Sequence, residues 1–118
     1  MKGDQLYLDH IRDAIGMIEN YTLGKTRKEF MQTPMIRDAV IRQLEIVGEA
    51  TKKISRATRK KYPAVPWKDM AGMRDKLIHE YFGVDLGAVW DTATKDLPVL
   101  KKQILEITGR SLYEESEK

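Results

Sequence analysis

Apolar residues recur along this chain in steps of three and four, the period of a helix with one buried face. Leu8, Ile11, Ile15 and Ile18 hold that step and predict a first helix from about Gln5 to Tyr21. Gly24 closes it, and "KTRKEFMQ" reads as a short connection with room for one helical turn. Thr33-Pro34 is a start signal, with a hydroxyl at the N-cap and proline at the first helical position. From there Ile36, Val40, Leu44, Val47, Thr51 and Ile54 predict a second long helix. It ends before "YPAVP", where two prolines bar continuation. Pro66 opens a third helix, through Trp67 to about Phe82, and Gly83 marks its end. Asp85 is the expected N-cap of a fourth, in which Leu86, Val89, Ala93, Leu97, Leu100, Ile104 and Ile107 keep the rhythm until Gly109. Pro98 lies inside that pattern and predicts a kink, because it removes a backbone donor. No run alternates polar and apolar residues for long enough to predict a sheet. The expectation is an all-α, antiparallel four-helix bundle, with a fifth short helix if the connection forms one. It forms a single domain over residues 1–110, followed by a charged C-terminal tail at 111–118.

Composition narrows the class of protein. The chain has 118 residues, 42% apolar and 33% charged, which suits one globular core. No stretch approaches the roughly 20 apolar residues of a membrane span, so no membrane partner is expected. "MKGDQLYLDHIRD" is acidic and amphipathic, unlike a signal or transit peptide, and a cytoplasmic address is expected. Cysteine is absent, which removes disulfides, thiolate metal sites and cysteine nucleophiles. There is no convincing metal-ligand spacing, no glycine-rich phosphate loop and no Gly-x-Ser-x-Gly elbow, so neither metal nor cofactor is expected.

Charge changes the picture. The net charge of +3 hides a block from Thr51 to Lys76 that carries +7 and leaves −4 for the rest. Lys52, Lys53, Arg56, Arg59, Lys60 and Lys61 make up most of it. Such a block suits a polyanion such as RNA, and equally suits a solvated, lysine-rich helix end.

The stretch "RDKLIHEYFGVD" within the third helix breaks the amphipathic rule. On a wheel of about 100° per residue with Trp67 at zero, Met70, Leu77, Ile78 and Tyr81 form the apolar stripe, and Arg74 lands in its middle. A guanidinium facing a core is costly unless paired or open to a cleft, and arginine cannot lose its proton to escape. Three explanations stay open: a structural pair with Glu45 or Glu49, a subunit interface, or an anion-binding cleft. His79 falls about 140° away on a regular helix, so the two meet only if the helix loosens or a second copy contributes. His10 has no charged pattern around it and reads as structural. Histidine can move protons near neutrality, and arginine can hold the charge that builds on a phosphate. That combination fits metal-free attack by an RNA 2′-hydroxyl.

"MRDKLIHEYFGVD" closely resembles the signature of the HEPN superfamily, Arg-x4-6-His, in the Arg-x4-His-x-Tyr form of the HepT-like toxins. Arg74, His79 and Tyr81 occupy its fixed positions. "RDAVIRQLEIVGEATKKI" resembles the family's second long helix and "GVDLGAVWDTATKDLPVLKKQI" its last, so the likeness covers about Tyr7 to Ile107. The resemblance implies a HEPN bundle that forms a homodimer with the two motifs in a shared cleft. It implies a toxin that is a metal-independent endoribonuclease, with His79 as acid-base residue and Arg74 on the scissile phosphate. Asp75, after the motif arginine, would orient a partner. It further implies an MntA-like nucleotidyltransferase antitoxin that attaches AMP to Tyr81. Adenylylation there would set bulk and negative charge beside the cleft. The competing reading is a non-catalytic nucleotide- or partner-binding module, the substrate-binding subunit of a split nucleotidyltransferase. A DNA-associated helical protein is disfavoured by the lack of a recognisable helix-turn-helix.

Overall fold

The computed structural model describes residues 2–79 and 85–116. The side chains of Lys2, Arg74, Lys76, Ile78, His79 and residues 110–116 lie outside that description. The described residues form helices and loops without strands. The long helices are α1 (Lys2–Thr22), α3 (Pro34–Lys52), α5 (Trp67–His79) and α7 (Leu97–Ser116), with α2 (Arg27–Gln32), α4 (Arg56–Lys61) and α6 (Leu86–Asp91) between them. The chain is thus the expected all-α bundle.

The predicted stripes are the core. Leu8, Ile11, Ile15 and Ile18 of α1 are fully buried, together with Val40, Leu44 and Val47 of α3. Val89, Ala93, Leu97, Leu100, Ile104 and Ile107 complete the cluster from the C-terminal third. α3 packs extensively on both α1 and α5, and α1 passes the core on to α7. Lys101 of α7 reaches Glu19 of α1 at 3.0 Å across that second seam.

Four details depart from the expected boundaries. "KTRKEFMQ" holds a true helix, α2, because Thr26 and Glu29 form a reciprocal capping box at its start. Thr33 does not cap α3 with its side chain. Its hydroxyl donates instead to the Glu29 carbonyl at 2.7 Å, closing α2, while Pro34 starts α3 by its fixed φ. The second long helix stops at Lys52, and Ser55 caps the separate α4 through the Thr58 N–H. The fourth helix is interrupted by a π-helical turn, Thr92–Asp96, in which the Leu97 N–H bonds the Thr92 carbonyl. That wider turn lies just ahead of Pro98, whose ring would otherwise press on the Thr94 carbonyl one α-turn back. α7 then runs through Gly109 to Ser116. Gly24, at φ +70°, makes the left-handed turn that ends α1.

The break between α3 and α4 is held from far away in the chain. Asp4 of α1 is buried and accepts hydrogen bonds from the Ser55 N–H at 2.9 Å and the Ser55 hydroxyl at 2.6 Å, and a third from the Thr58 hydroxyl. Burial opposes its charge, but the two hydroxyls and the N–H outweigh that and hold its carboxyl below the ordinary value. A depressed folded pKa means that the stabilisation is present at neutral pH and lost as pH falls through that value. Asp4→Ala is therefore expected to destabilise the fold by about 2–3 kcal/mol at pH 7, read by urea denaturation. The gap between wild type and variant should narrow below about pH 4, and a constant gap down to pH 3 would contradict the assignment.

Candidate functional site

Helix α5 carries the motif, and its start is fixed by the loop before it. The Pro66 carbonyl accepts from the Met70 N–H, and Asp69 lies in the first turn, where a negative charge suits the helix dipole. Trp67 is buried and its indole N–H donates to the Tyr62 carbonyl at 2.9 Å. Met70 and Leu77 are buried in the common core. Arg74 stands on the backbone four residues after Met70 and three before Leu77, at the register the wheel gave it. Of the two candidate partners for it, Glu45 accepts from Arg42 at 3.4 Å and Glu49 is exposed.

α5 remains a regular α-helix up to His79. The backbone positions of Arg74 and His79 are therefore about 140° apart around its axis. Of the two routes to a shared site, loosening of the helix is not found within Trp67–His79. Tyr81 lies outside the described residues. Asp75, next to Arg74, receives the Lys52 ammonium at 2.6 Å, so the C-terminal end of α3 is tied to the motif turn. His10 is exposed, with its ring edge-on to Tyr7.

The basic block divides by task. Arg59 reaches back to donate to the Thr51 carbonyl at 2.7 Å, in the last turn of α3, where that carbonyl also accepts from the Ile54 N–H at 3.1 Å. Lys61 lies over the Tyr62 ring, 5.6 Å from its centre. Lys53, Arg56 and Lys60 are exposed. Between α4 and the start of α5 runs an open groove of about 490 Å³, with Arg56, Lys60 and Lys68 on its rim and Pro63, Pro66 and Trp67 among its apolar walls. Sequence reasoning counted Lys68 as charge but not as part of a site. What hid it was the unread break at Ser55, which swings α4 alongside the N-terminal turn of α5. The pattern Ser-x-x-Thr at 55–58, a capping sequence, was the available signal. Among the described residues, no group of three or more His, Asp or Glu side chains is placed to hold a metal ion. No described helix is long and apolar enough to cross a membrane.

On the far side of the motif, Asp85 caps α6 through the Ala88 N–H at 3.1 Å. Gly87 is buried under the Arg27 guanidinium, which a side chain there would displace, and Arg27 also approaches Asp91 at 3.9 Å. α2 and α6 are thereby latched together where the chain leaves residues 80–84.

Residues 11–107 match the family described as "Ribonuclease HepT-like". A Methanocaldococcus jannaschii protein named "Gamma-glutamylcyclotransferase and putative RNase" is 49% identical over 106 residues, 90% of this chain but 48% of that protein. The chain thus spans about half the length of this relative. A Caldanaerobacter subterraneus protein named "Putative RNase" is 44% identical over 107 residues, 91% of this chain and 96% of its own length. A Thermococcus cleftensis protein named "Probable ribonuclease HepT" is 46% identical over 95 residues, 80% of this chain and 86% of its own. No solved structure matches the chain.

The Lys52–Asp75 pair is half exposed on both sides, so its Coulomb gain is screened by water. A double-mutant cycle of Lys52→Met and Asp75→Asn, read by thermal denaturation, is expected to give a coupling of no more than about 1 kcal/mol. A coupling of 3 kcal/mol or more would mark the pair as a buried structural element instead (roughly the cost of breaking a buried pair).

Proposed function

The chain belongs to the HepT-like ribonuclease family, and on that footing we propose that it is a toxin that cleaves RNA without a metal ion. The observation that carries this reading is the placement of Arg74 and His79, with the motif spacing, on the helix α5 inside the matched span. The reaction is attack of the 2′-oxygen on the adjacent phosphorus. The bond to the 5′-oxygen breaks, leaving a 2′,3′-cyclic phosphate on one product and a 5′-hydroxyl on the other. One histidine takes the 2′-hydroxyl proton and a histidine returns a proton to the leaving oxygen. The Arg74 guanidinium offsets the charge that builds on the non-bridging oxygens.

A regular α5 supports a site shared between two copies of the chain, because a single helix separates Arg74 and His79 by register. In a twofold dimer, the arginine and histidine of each helix face the copies of the other. Asp75 belongs to this arrangement as a positioning residue, through Lys52. The exposed cations Lys52, Lys53, Arg56, Lys60 and Lys61, with the half-buried Arg59, supply the field that draws RNA to the cleft. Tyr81, two residues beyond His79, is the site at which an MntA-like nucleotidyltransferase antitoxin attaches AMP. The added phosphate would repel an incoming RNA backbone. The protein acts in the cytoplasm as part of a toxin–antitoxin pair.

Wild-type protein with an unmodified intact mass is expected to cut RNA in EDTA, giving cyclic-phosphate ends. His79→Ala should abolish cleavage with an unchanged circular dichroism spectrum. A 2′-deoxy residue at the scissile position should block the wild type. Equal cleavage by wild type and His79→Ala would refute the assignment, and binding without cleavage by either would favour a non-catalytic module. Arg74→Ala is expected to lower kcat/KM by about 10²–10³-fold while shifting Tm by only a few degrees. A collapse of Tm would place Arg74 in a buried structural pair.

A further inference from the structure

Lys68, at the edge of the α4–α5 groove, shares one face of α5 with the motif histidine by backbone register. Lys68, Gly72, Asp75 and His79 follow one another at intervals of four, three and four residues, so their backbone positions form one stripe along the helix. Lys68 and Gly72 are exposed, and the space a side chain would occupy at Gly72 is open. The single acidic member of the stripe, Asp75, carries the Lys52 ammonium at 2.6 Å, so its charge is offset along the path. From Lys68 to His79 the helix rises about 16 Å, a length that an extended nucleic acid strand covers in a few nucleotides.

We propose that the groove between α4 and α5 is a subsite for single-stranded RNA, holding phosphates on Arg56, Lys60 and Lys68 and feeding the strand along α5 to His79. This rests on the ribonuclease reading above and adds to it the form of the substrate and the side from which it enters. The rim of the groove is cationic, with Asp69 as its acidic member. Its apolar lining comes from the exposed Pro63 and Pro66 and from the edges of the otherwise buried Val65 and Trp67. Phosphates alone would need only the rim. The apolar wall gives an unpaired base a surface to pack on, which a base held inside a duplex cannot use. Arg59 also lines the groove, but it caps α3 through the Thr51 carbonyl and belongs to the fold.

The test measures binding apart from cleavage. A fluorescent 12-nucleotide 2′-O-methyl RNA, which lacks the attacking hydroxyl, is titrated with wild type and with Arg56→Ala/Lys60→Ala/Lys68→Ala, and Kd is followed against salt. The triple variant is expected to bind about tenfold more weakly. Its log Kd–log salt slope should be shallower by about 2, the value for three single-strand phosphate contacts. Lys68→Ala alone should remove about 0.7 of that slope. Lys25→Ala/Lys28→Ala, exposed cations beyond the other end of α1, should leave binding unchanged. Loss of binding in the triple variant supports the groove even if the wild type cuts no RNA, an outcome that would sink the nuclease reading alone. An unchanged slope in the triple variant overturns the groove, even if His79-dependent cleavage is intact. An equal loss in the Lys25/Lys28 variant overturns it in favour of a diffuse field. Duplex binding as tight as that of the single strand overturns the single-strand assignment.

Discussion

The attachment of α5 to α3 is the constraint on which the candidate site depends. α5 has 13 residues, too few for a helix to persist in water on its own propensity. It contains Gly72, which weakens it further. Its stability is therefore tertiary. Trp67, Met70 and Leu77 enter the core that Leu44 and Val47 of α3 occupy, the indole N–H of Trp67 fixes the first turn, and Lys52 bonds Asp75 in the middle. Each of these contacts sets the axial position of Arg74 without using Arg74 itself. Among the described contacts, the motif turn is placed by apolar burial and by the half-exposed Lys52–Asp75 pair.

A second dependence runs from α1 to the basic helix. α4 is only six residues long and carries Arg59, Lys60 and Lys61 in its last turn. Those charges suit the negative end of a helix dipole, yet they repel one another. The far end is held by Asp4, which satisfies the Ser55 N–H and two hydroxyls in a buried setting. Arg59 then closes α3, and Lys61 lies on Tyr62. With those tasks assigned, the groove-facing cations are Arg56, Lys60 and Lys68, contributed by two helices that only this break brings side by side. A continuous helix from Pro34 to Lys61 would have strung the same charges along one rod.

The four long helices were legible because each buries a stripe with a helical period, and a period is local information. The places where reading failed are those where the deciding partner is distant or where two signals compete. Thr51 and Ile54 kept the helical step past Lys52 and both are buried, so periodicity carried the second helix through a break that Asp4 stabilises from 51 residues away. Thr33 looked like the cap of α3, but its hydroxyl donates to the Glu29 carbonyl of α2 and accepts from no N–H of α3. The capping box Thr26–Glu29 was present in the letters, and the connection it opens, read as having room for one helical turn, forms the short helix α2. Pro98 correctly marked a disturbance, while its form, a π turn one step earlier, follows from where the displaced carbonyl can go. Of the candidate site, the sequence supplied the residues Arg74, His79, Asp75 and Tyr81. It supplied neither the Lys52 bond to Asp75 nor the groove beside Lys68, since both arise between helices.

The regularity of α5 also orders the chemistry. On one helix, the register that places Arg74 within the apolar stripe places His79 about 140° around the axis, and no choice of rotamer changes where the two backbones stand. An isolated chain therefore separates the two proposed roles, phosphate recognition and proton transfer, by the width of a helix. The proposed twofold dimer removes that separation, because the arginine and histidine of each helix then meet the copies of the other. The stripe from Lys68 to His79 runs along the histidine side, so the proposed dimer and the proposed path of the strand both turn on the orientation of one 13-residue helix.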